Sequence, residues 1–393
     1  AEHLFKTATT PAPGKEVRVI GIGPDLVTGR RREWEQWYAP MAAARWISAA
    51  WHALAWAVFG AAYVGAVLFV ASGLHGSVGD VLLILAAGAR LSSYIGATVG
   101  EIGFLRGIWL DGSRRLVWLE NYAASFDKTA DQPAPERLTD GIRLENVSFS
   151  YSGSDHPALE DVELHLPAGK VVAVVGENGA GKSTLVKLIC KLYEPDSGHV
   201  FLDDRPLDRI PAEAWRAKIA GAFQDFFRFE FRAAHSVGLG DLPRLDDVPA
   251  VTTAVGRAGA EDVLERLESG LDTQLGSTWP EGAEISFGQW QKLALARGFM
   301  RDRPLLLVLD EPTAALDAET EHALFERYAA AAKDAAEGRI TILVSHRFST
   351  VRMADLIVVL DGAHVVETGT HQELIARNGH YAELYRIQAA AYH

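Results

Sequence analysis

The run Val171-Val172-Ala173-Val174-Val175-Gly176-Glu177-Asn178-Gly179-Ala180-Gly181-Lys182-Ser183-Thr184 decides the fold. Its apolar first part, mostly β-branched, reads as a parallel strand buried on both faces. The strand breaks into glycines, which let backbone N–H groups turn inward around an anion. A helix beginning near Lys182 then points its positive N-terminal end at the same place. Lys182 adds a mobile charge for outer phosphates, and Ser183 a hydroxyl suited to a phosphate-bound Mg2+. A glycine-rich turn matching this spacing by chance would leave the strand before it and the helix after it without a role.

A chain of 393 residues is too long for one ordinary core, so two or more domains are expected. Hydrophobic residues make up 48% beside 23% charged ones, which suggests membrane and soluble parts together. The net charge of -13 argues against a nucleic-acid partner, which needs a basic face to displace counterions. Cys190 is the only cysteine, so an intramolecular disulfide framework and a Cys-rich metal site are excluded. Among Leu185, Leu188 and Ile189 it reads as a small buried hydrophobe in a reducing compartment. The first residues carry no signal-peptide pattern.

Upstream, residues 15–38 are polar and charged, hold the basic run Arg30-Arg31-Arg32, and read as a solvated helix after the breaker Pro11-Ala12-Pro13-Gly14. Then charge stops, with no Asp, Glu, Lys or Arg from Trp46 to Gly79. About 20 apolar residues cross a bilayer as a helix, so a first membrane helix is expected over about 46–72. Trp46, Trp51 and Trp56 sit toward its cytosolic half, as an interfacial belt. A turn over 73–79 leads through Asp80 to a second helix over about 81–105. Within it Arg90 and Glu101 fall within about 20° of one face at 100° per residue. That stripe suits a bundle interior or a water-filled path, and equally packing or snorkelling of Glu101 at the helix end. Gly96-x-x-x-Gly100 and Gly103-x-x-x-Gly107 permit close helix approach. Arginines 30–32, 45, 106, 114 and 115 flank the hairpin while its loop has no Lys or Arg, which places both ends in the cytosol. The expected divisions are a membrane part over 1–127, a linker over 128–140 around Asp131-Gln132-Pro133-Ala134-Pro135, and a soluble domain over 141–393.

Further motifs surround the phosphate-binding loop. Residues 144–151 alternate as a half-buried strand ending in Tyr151, which suits stacking on a purine or a place in the core. Gln224 lies some forty residues beyond the loop, where a side-chain carbonyl can ligate Mg2+; alone it says little. Ser286 with Gln289 is a capping box opening an apolar-periodic helix, so either a plain cap or an anion site is expected at its start. The run Leu305-Leu306-Leu307-Val308-Leu309-Asp310-Glu311 is a core strand ending in two acids, costly to bury unless a metal or catalysis uses them. Asp310 suits Mg2+, and Glu311 suits the orientation and polarisation of an attacking water. Residues 340–346 form another core strand ending in His346.

These elements in this order resemble the ATP-binding cassette (ABC) transporter family, over about 141–393. With the hairpin they resemble the C-terminal part of a bacterial exporter half-subunit. The resemblance implies an α/β P-loop NTPase fold, the ABC nucleotide-binding domain, preceded by an α-helical transmembrane hairpin. It implies ATP and Mg2+ as cofactors, and places Tyr151 on adenine as the A-loop aromatic. Gly176, Asn178, Gly179, Gly181, Lys182, Ser183 and Thr184 become the Walker A loop, and Gln224 the Q-loop. Ser286, Gly288 and Gln289 become the signature, Asp310 and Glu311 the Walker B pair, Asp317 the D-loop acid and His346 the switch histidine. Ser183, Gln224 and Asp310 are the expected Mg2+ ligands, and Glu311, His346 and Lys182 the catalytic set. In the family the signature serves ATP held by a second subunit, so a homodimer or a heterodimer with another ABC half-subunit is implied, in a lipid bilayer and with an unidentified transported substrate. The expected location is the cell (inner) membrane, multi-pass, with the ATPase domain cytoplasmic.

Three departures stand out. Phe287 occupies the third signature position, where the family usually has Gly; Phe is sterically allowed there if its ring points away, and reduced or altered rather than absent signature function is expected. Ala314 replaces the usual D-loop Ser. Exporter half-subunits have six membrane helices, so four further helices and both coupling helices are expected upstream of Ala1. Phe223, Phe226, Phe227, Phe229 and Phe231 crowd around Gln224, and some are expected to line a groove for a segment upstream of Ala1. Two other functions compete: a soluble ABC ATPase, opposed by the hairpin and the acidic charge, and a non-hydrolytic partner subunit, opposed by Glu311 and His346.

Overall fold

A computed structural model describes residues 2–10, 13–74, 76–124, 130–311, 338–345 and 347–391. The chain divides into two compact units, Ala1–Tyr122 and Ala123–His393.

In the first unit, short helices α1 (Glu2–Thr9) and α2 (Gly14–Ile20) precede the 46-residue α3 (Gly23–Leu68). The expected solvated helix and first membrane helix are thus one element, which runs through Pro40 and closes in a π-helical turn, Phe69–Gly73. Helix α4 (Val78–Phe104) starts at a capping box in which Ser77 and Asp80 exchange hydrogen bonds. It passes through a π-turn, Leu105–Leu110, into α5 (Asp111–Ala124), so the second helix extends beyond the expected end. Both rods are long and apolar enough to cross a membrane. They meet where the Tyr63 hydroxyl donates to the Leu85 carbonyl at 2.8 Å. Here glycine is required, since a Cβ on Gly88 would lie 2.0 Å from the Tyr63 ring. The expected approach glycines, Gly96, Gly100, Gly103 and Gly107, face nothing within 4 Å among the described residues.

The second unit holds two sheets. An antiparallel sheet is built from β1 (Gly141–Phe149), β2 (Leu159–Pro167), β4 (Ser197–Leu202) and β5 (Arg205–Pro206). The other sheet has the order β10-β9-β3-β8-β7-β6, with β3 (Val171–Gly176), β6 (Ile219–Ala222), β7 (Leu306–Asp310), β8 (Ile340–Val344), β9 (Leu356–Asp361) and β10 (His364–Gly369). All its pairings are parallel except β9 with β10. The parallel strands β3, β7 and β8 are buried along their whole length, which is why each reads as an unbroken apolar run.

Helix α6 (Lys182–Ile189) packs with the antiparallel sheet in one core, which includes Leu144, Leu185, Cys190 and Trp215 from α7 (Ala212–Arg216). A second core joins α8 (Ala233–Gly238), α9 (Val248–Ala258), α10 (Glu261–Glu265) and α11 (Phe287–Gly298) to β6 and β7 through Val255, Trp290 and Leu293. A third gathers Ala173 and Val175 with Phe348 of α12 (Phe348–Val351), Leu374 of α13 (His371–Arg377) and Tyr381 of α14 (His380–Ala391). Residues 130–140, expected as linker, are fastened to this unit. Asp203 accepts the N–H groups of Thr139, Asp140 and Gly141 at 2.9–3.1 Å, Arg209 pairs with Asp131 at 2.5 Å, and Leu138 is buried.

Candidate active site

The C-terminal ends of β3, β7 and β8 lie side by side, with Val174 opposite Val344 and Val344 opposite Asp310. In an open parallel sheet that edge is where ligands bind. Gly176 and Gly181 are forced choices: a Cβ on Gly176, at φ +150°, would sit 2.2 Å from the Leu360 carbonyl oxygen, and one on Gly181, at φ +101°, 2.5 Å from that of Ala158. The loop between them leads straight into α6, whose first residue is Lys182.

Lys182 is only 6% exposed, and its Nζ donates to the carbonyls of Gly176 and Glu177 at 2.9 and 2.8 Å. Burial lowers its pKa, while Glu311 and Asp310 act in the opposite direction. Asp310 is buried beneath the loop. Burial raises its carboxyl above the usual range, the Ser183 hydroxyl bonded to it lowers it, and Glu311 and Asp225 add repulsion. Asp310 Oδ1 is buried with no hydrogen-bond partner among the described residues. A carboxylate oxygen without a partner, a hydroxyl on the same group and a side-chain carbonyl from Gln224 on the same cavity make a hard oxygen set that fits Mg2+.

The cavity above them measures about 720 Å3. Of the expected residues it collects Tyr151, Asn178, Gly179, Gly181, Lys182, Ser183, Thr184, Gln224 and Glu311. Gly176 instead lines an adjoining cavity of about 420 Å3 that shares Asn178 with the first. Tyr151 is held by its neighbours: its hydroxyl pairs with the Thr184 hydroxyl at 3.2 Å, and Phe149 and Tyr193 meet it edge-on at 5.0 and 5.4 Å.

Glu311 takes φ +47°, left-handed backbone that is rare outside glycine. Its N–H donates to Val344 at 3.0 Å, and its carbonyl accepts from the Gln291 amide at 3.4 Å.

Ser286, Gly288 and Gln289 do not line this cavity. They form the start of α11, where Ser286 and Gln289 complete the expected capping box. Helix N-termini as a class favour anions. His346 and Asp317, with Ala314, lie outside the described residues. The cavity also takes residues outside the expected set: Ser154, His156, Pro157 and Ala158, on the β1–β2 loop, and Gln388, on α14. None of these has a sequence signal, because each arrives from an element with no motif of its own.

A family model described as "ABC transporter" matches residues 159–314. The ATP-dependent lipid A-core flippase of Cupriavidus metallidurans is 41% identical over 257 residues, covering 65% of this chain and 42% of the relative. That of Alkalilimnicola ehrlichii is 35% identical over 336 residues, covering 83% and 55%. Among solved structures, a bacterial Atm1-family ABC exporter with ATP bound superposes with a TM-score of 0.79 at 26% identity, covering 95% of this chain and 64% of that one. The chain spans about half the length of the curated relatives it matches.

Proposed function

We propose, for a chain that belongs to the ABC transporter family and has the build of a bacterial exporter half-subunit, that it hydrolyses Mg-ATP and couples hydrolysis to export across the inner membrane. One observation carries the catalytic reading: Lys182, Ser183, Gln224 and Glu311 share a single cavity, beside a buried Asp310 with an oxygen lacking a partner among the described residues.

On this reading the adenine lies against Tyr151. The phosphates lie along 176–184, and the Lys182 ammonium exchanges its loop carbonyls for phosphate oxygens. Ser183, Asp310 and Gln224 would hold Mg2+, which would supply charge neutralisation at the phosphates. Glu311 orients a water and takes its proton as the water oxygen attacks the γ-phosphorus and the bond to ADP breaks; His346 is assigned to the γ-phosphate. The start of α11 is exposed and does not line its own cavity, which favours its use on the nucleotide of a second subunit, in a homodimer or heterodimer. Two helix rods anchor the chain in the bilayer, with the ATPase domain on the cytosolic side.

Glu311→Gln tests the chemistry. Expected is loss of turnover by about 10²- to 10⁴-fold with ATP still bound; unchanged turnover places the base elsewhere. Mixing Ser286→Arg subunits with Lys182→Ala subunits tests the seam. At most one intact site per dimer is expected, and full additive activity would remove the trans arrangement.

A further inference from the structure

The segment that follows Gln224 is laid along α11, and side chains at two places on that helix meet it. At the first helical residue, the Phe287 ring packs on Phe226 with centroids 5.4 Å apart and planes tilted by 39°. The Arg228 guanidinium lies over the same ring at 5.5 Å. Further along the helix, Arg297 stacks over Phe229 at 4.6 Å and donates to the carbonyls of Phe227 at 3.3 Å and Ser236 at 2.7 Å. Ten residues of helix separate the two holds by about 15 Å. Phe226 in turn packs against the core shared by α8–α11 and β6–β7.

The position of Phe287 does not follow from burial. The ring is 54% exposed, so it removes little apolar area from water, and the capping box at Ser286 works without it. What the ring does contact is the chain two and four residues after Gln224, which is exposed on the wall of the large cavity.

We propose that Phe287 is a positioning residue for Gln224: its ring, between Phe226 and Arg228, clasps the chain leaving Gln224 to the start of α11. This rests on the reading of Gln224 as a Mg2+ ligand. An aromatic pair with a cation over it shifts a clasped-to-released equilibrium by a few-fold to roughly tenfold. When the clasp opens, Phe226 and Arg228 are freed and Gln224 loses its fixed place on the cavity wall, while the carbonyls of Phe229, Glu230 and Phe231 keep their bonds from Ser236, Gln274, Trp279 and Leu275. The carbonyl hold from Arg297 is untouched, so the effect is confined to the end nearer the cavity.

The test uses the full chain in nanodiscs, with two readouts. The first is amide hydrogen exchange in peptides covering 223–231, measured without nucleotide. The second is the Mg2+ concentration that gives half-maximal ATP hydrolysis at fixed ATP. For Phe287→Ala we expect roughly three- to tenfold faster exchange at 226–228 and a similar rise in half-saturating Mg2+. Phe287→Tyr, which keeps the ring, should retain the wild-type exchange rate. Phe226→Leu, which fills the core without a ring, should match Phe287→Ala, and the double variant should be no worse than either. Unchanged exchange in folded Phe287→Ala, or effects that multiply in the double variant, would overturn the clasp. Failure of the wild-type chain to hydrolyse Mg-ATP would instead remove the catalytic reading, while the exchange comparison still decides whether the clasp exists.

Discussion

The Gln291 side-chain amide donates to the backbone carbonyl of Glu311 across 3.4 Å, joining the helix that starts at Ser286 to the residue assigned to water activation. Glu311 is in left-handed backbone, where an unsupported glutamate would relax, so both its peptide groups have to be held. Gln291→Leu fills the buried position without a donor, and Gln291→Glu keeps the shape but cannot donate. Both are expected to lower kcat by roughly tenfold to a hundredfold, with the KM for ATP moving less than about twofold, since small misplacements of a catalytic group cost that much. Steady-state ATPase assays check this. A change confined to KM would show that the bond serves binding and not Glu311.

Asp310 sets function against stability. Burial raises its folded-state pKa above the ordinary value of 3.8. A raised carboxyl contributes stability that is fully present below the unfolded-state pKa and is lost as pH rises through the folded-state value. At neutral pH its charge therefore destabilises the nucleotide-free chain. Asp310→Asn keeps an acceptor for Ser183 and removes that charge, so thermal melts in chelator should show a higher Tm near pH 7 and convergence with the parent in acid. The same variant should lose Mg2+-dependent hydrolysis. A lower Tm at every pH would mean that the Ser183 bond to the carboxylate outweighs its desolvation.

Cys190 is held for packing alone. Burial pushes its thiol up to about 12, and the thiolate is the reactive form. An aromatic disulfide reagent at pH 8 should leave the native chain unmodified over hours and consume one equivalent on denaturation. Fast reaction of the native chain would mean that the end of α6 opens readily.

Most of the cavity was legible because its groups obey local rules. The glycines of the loop are dictated by backbone approach, Lys182 by the helix that follows, and Asp310 by an apolar strand that can end in an acid only for a reason. Ser286 and Gln289 were legible as a cap, since that geometry is local. What escaped depends on distant segments brought together in three dimensions. Asp203 lies more than sixty residues from the Thr139–Gly141 amides it gathers, so the stretch around them reads as loose linker. Gln388 reaches the cavity only because Tyr381 anchors α14 in the third core. Gly88 resembles any membrane-helix glycine until Tyr63 is placed against it.

The aromatic run after Gln224 divides between surface and support. Phe227 and Phe231 are 69% and 45% exposed, whereas Phe229 is half-buried between them, with ring centroids at 5.0 and 6.1 Å. Phe229 also carries Arg297, whose pKa burial lowers to about 10. Removing that ring leaves a largely desolvated guanidinium without its stacking partner, so Phe229→Ser is expected to destabilise by about 1–3 kcal/mol and to increase aggregation. The outer pair behaves differently. Phe227→Ser with Phe231→Ser removes exposed apolar area and two ring contacts to Phe229 but leaves Arg297 stacked, so the loss of stability should be smaller than for Phe229→Ser, about 1 kcal/mol or less. Hydrophobic-dye binding and self-association should both fall, because adjoining exposed rings form the kind of patch that draws copies together. Dye titration, sedimentation velocity and thermal melts on the three variants separate the roles. If the outer pair leaves dye binding and association unchanged in a folded chain, these rings do not form the sticky surface.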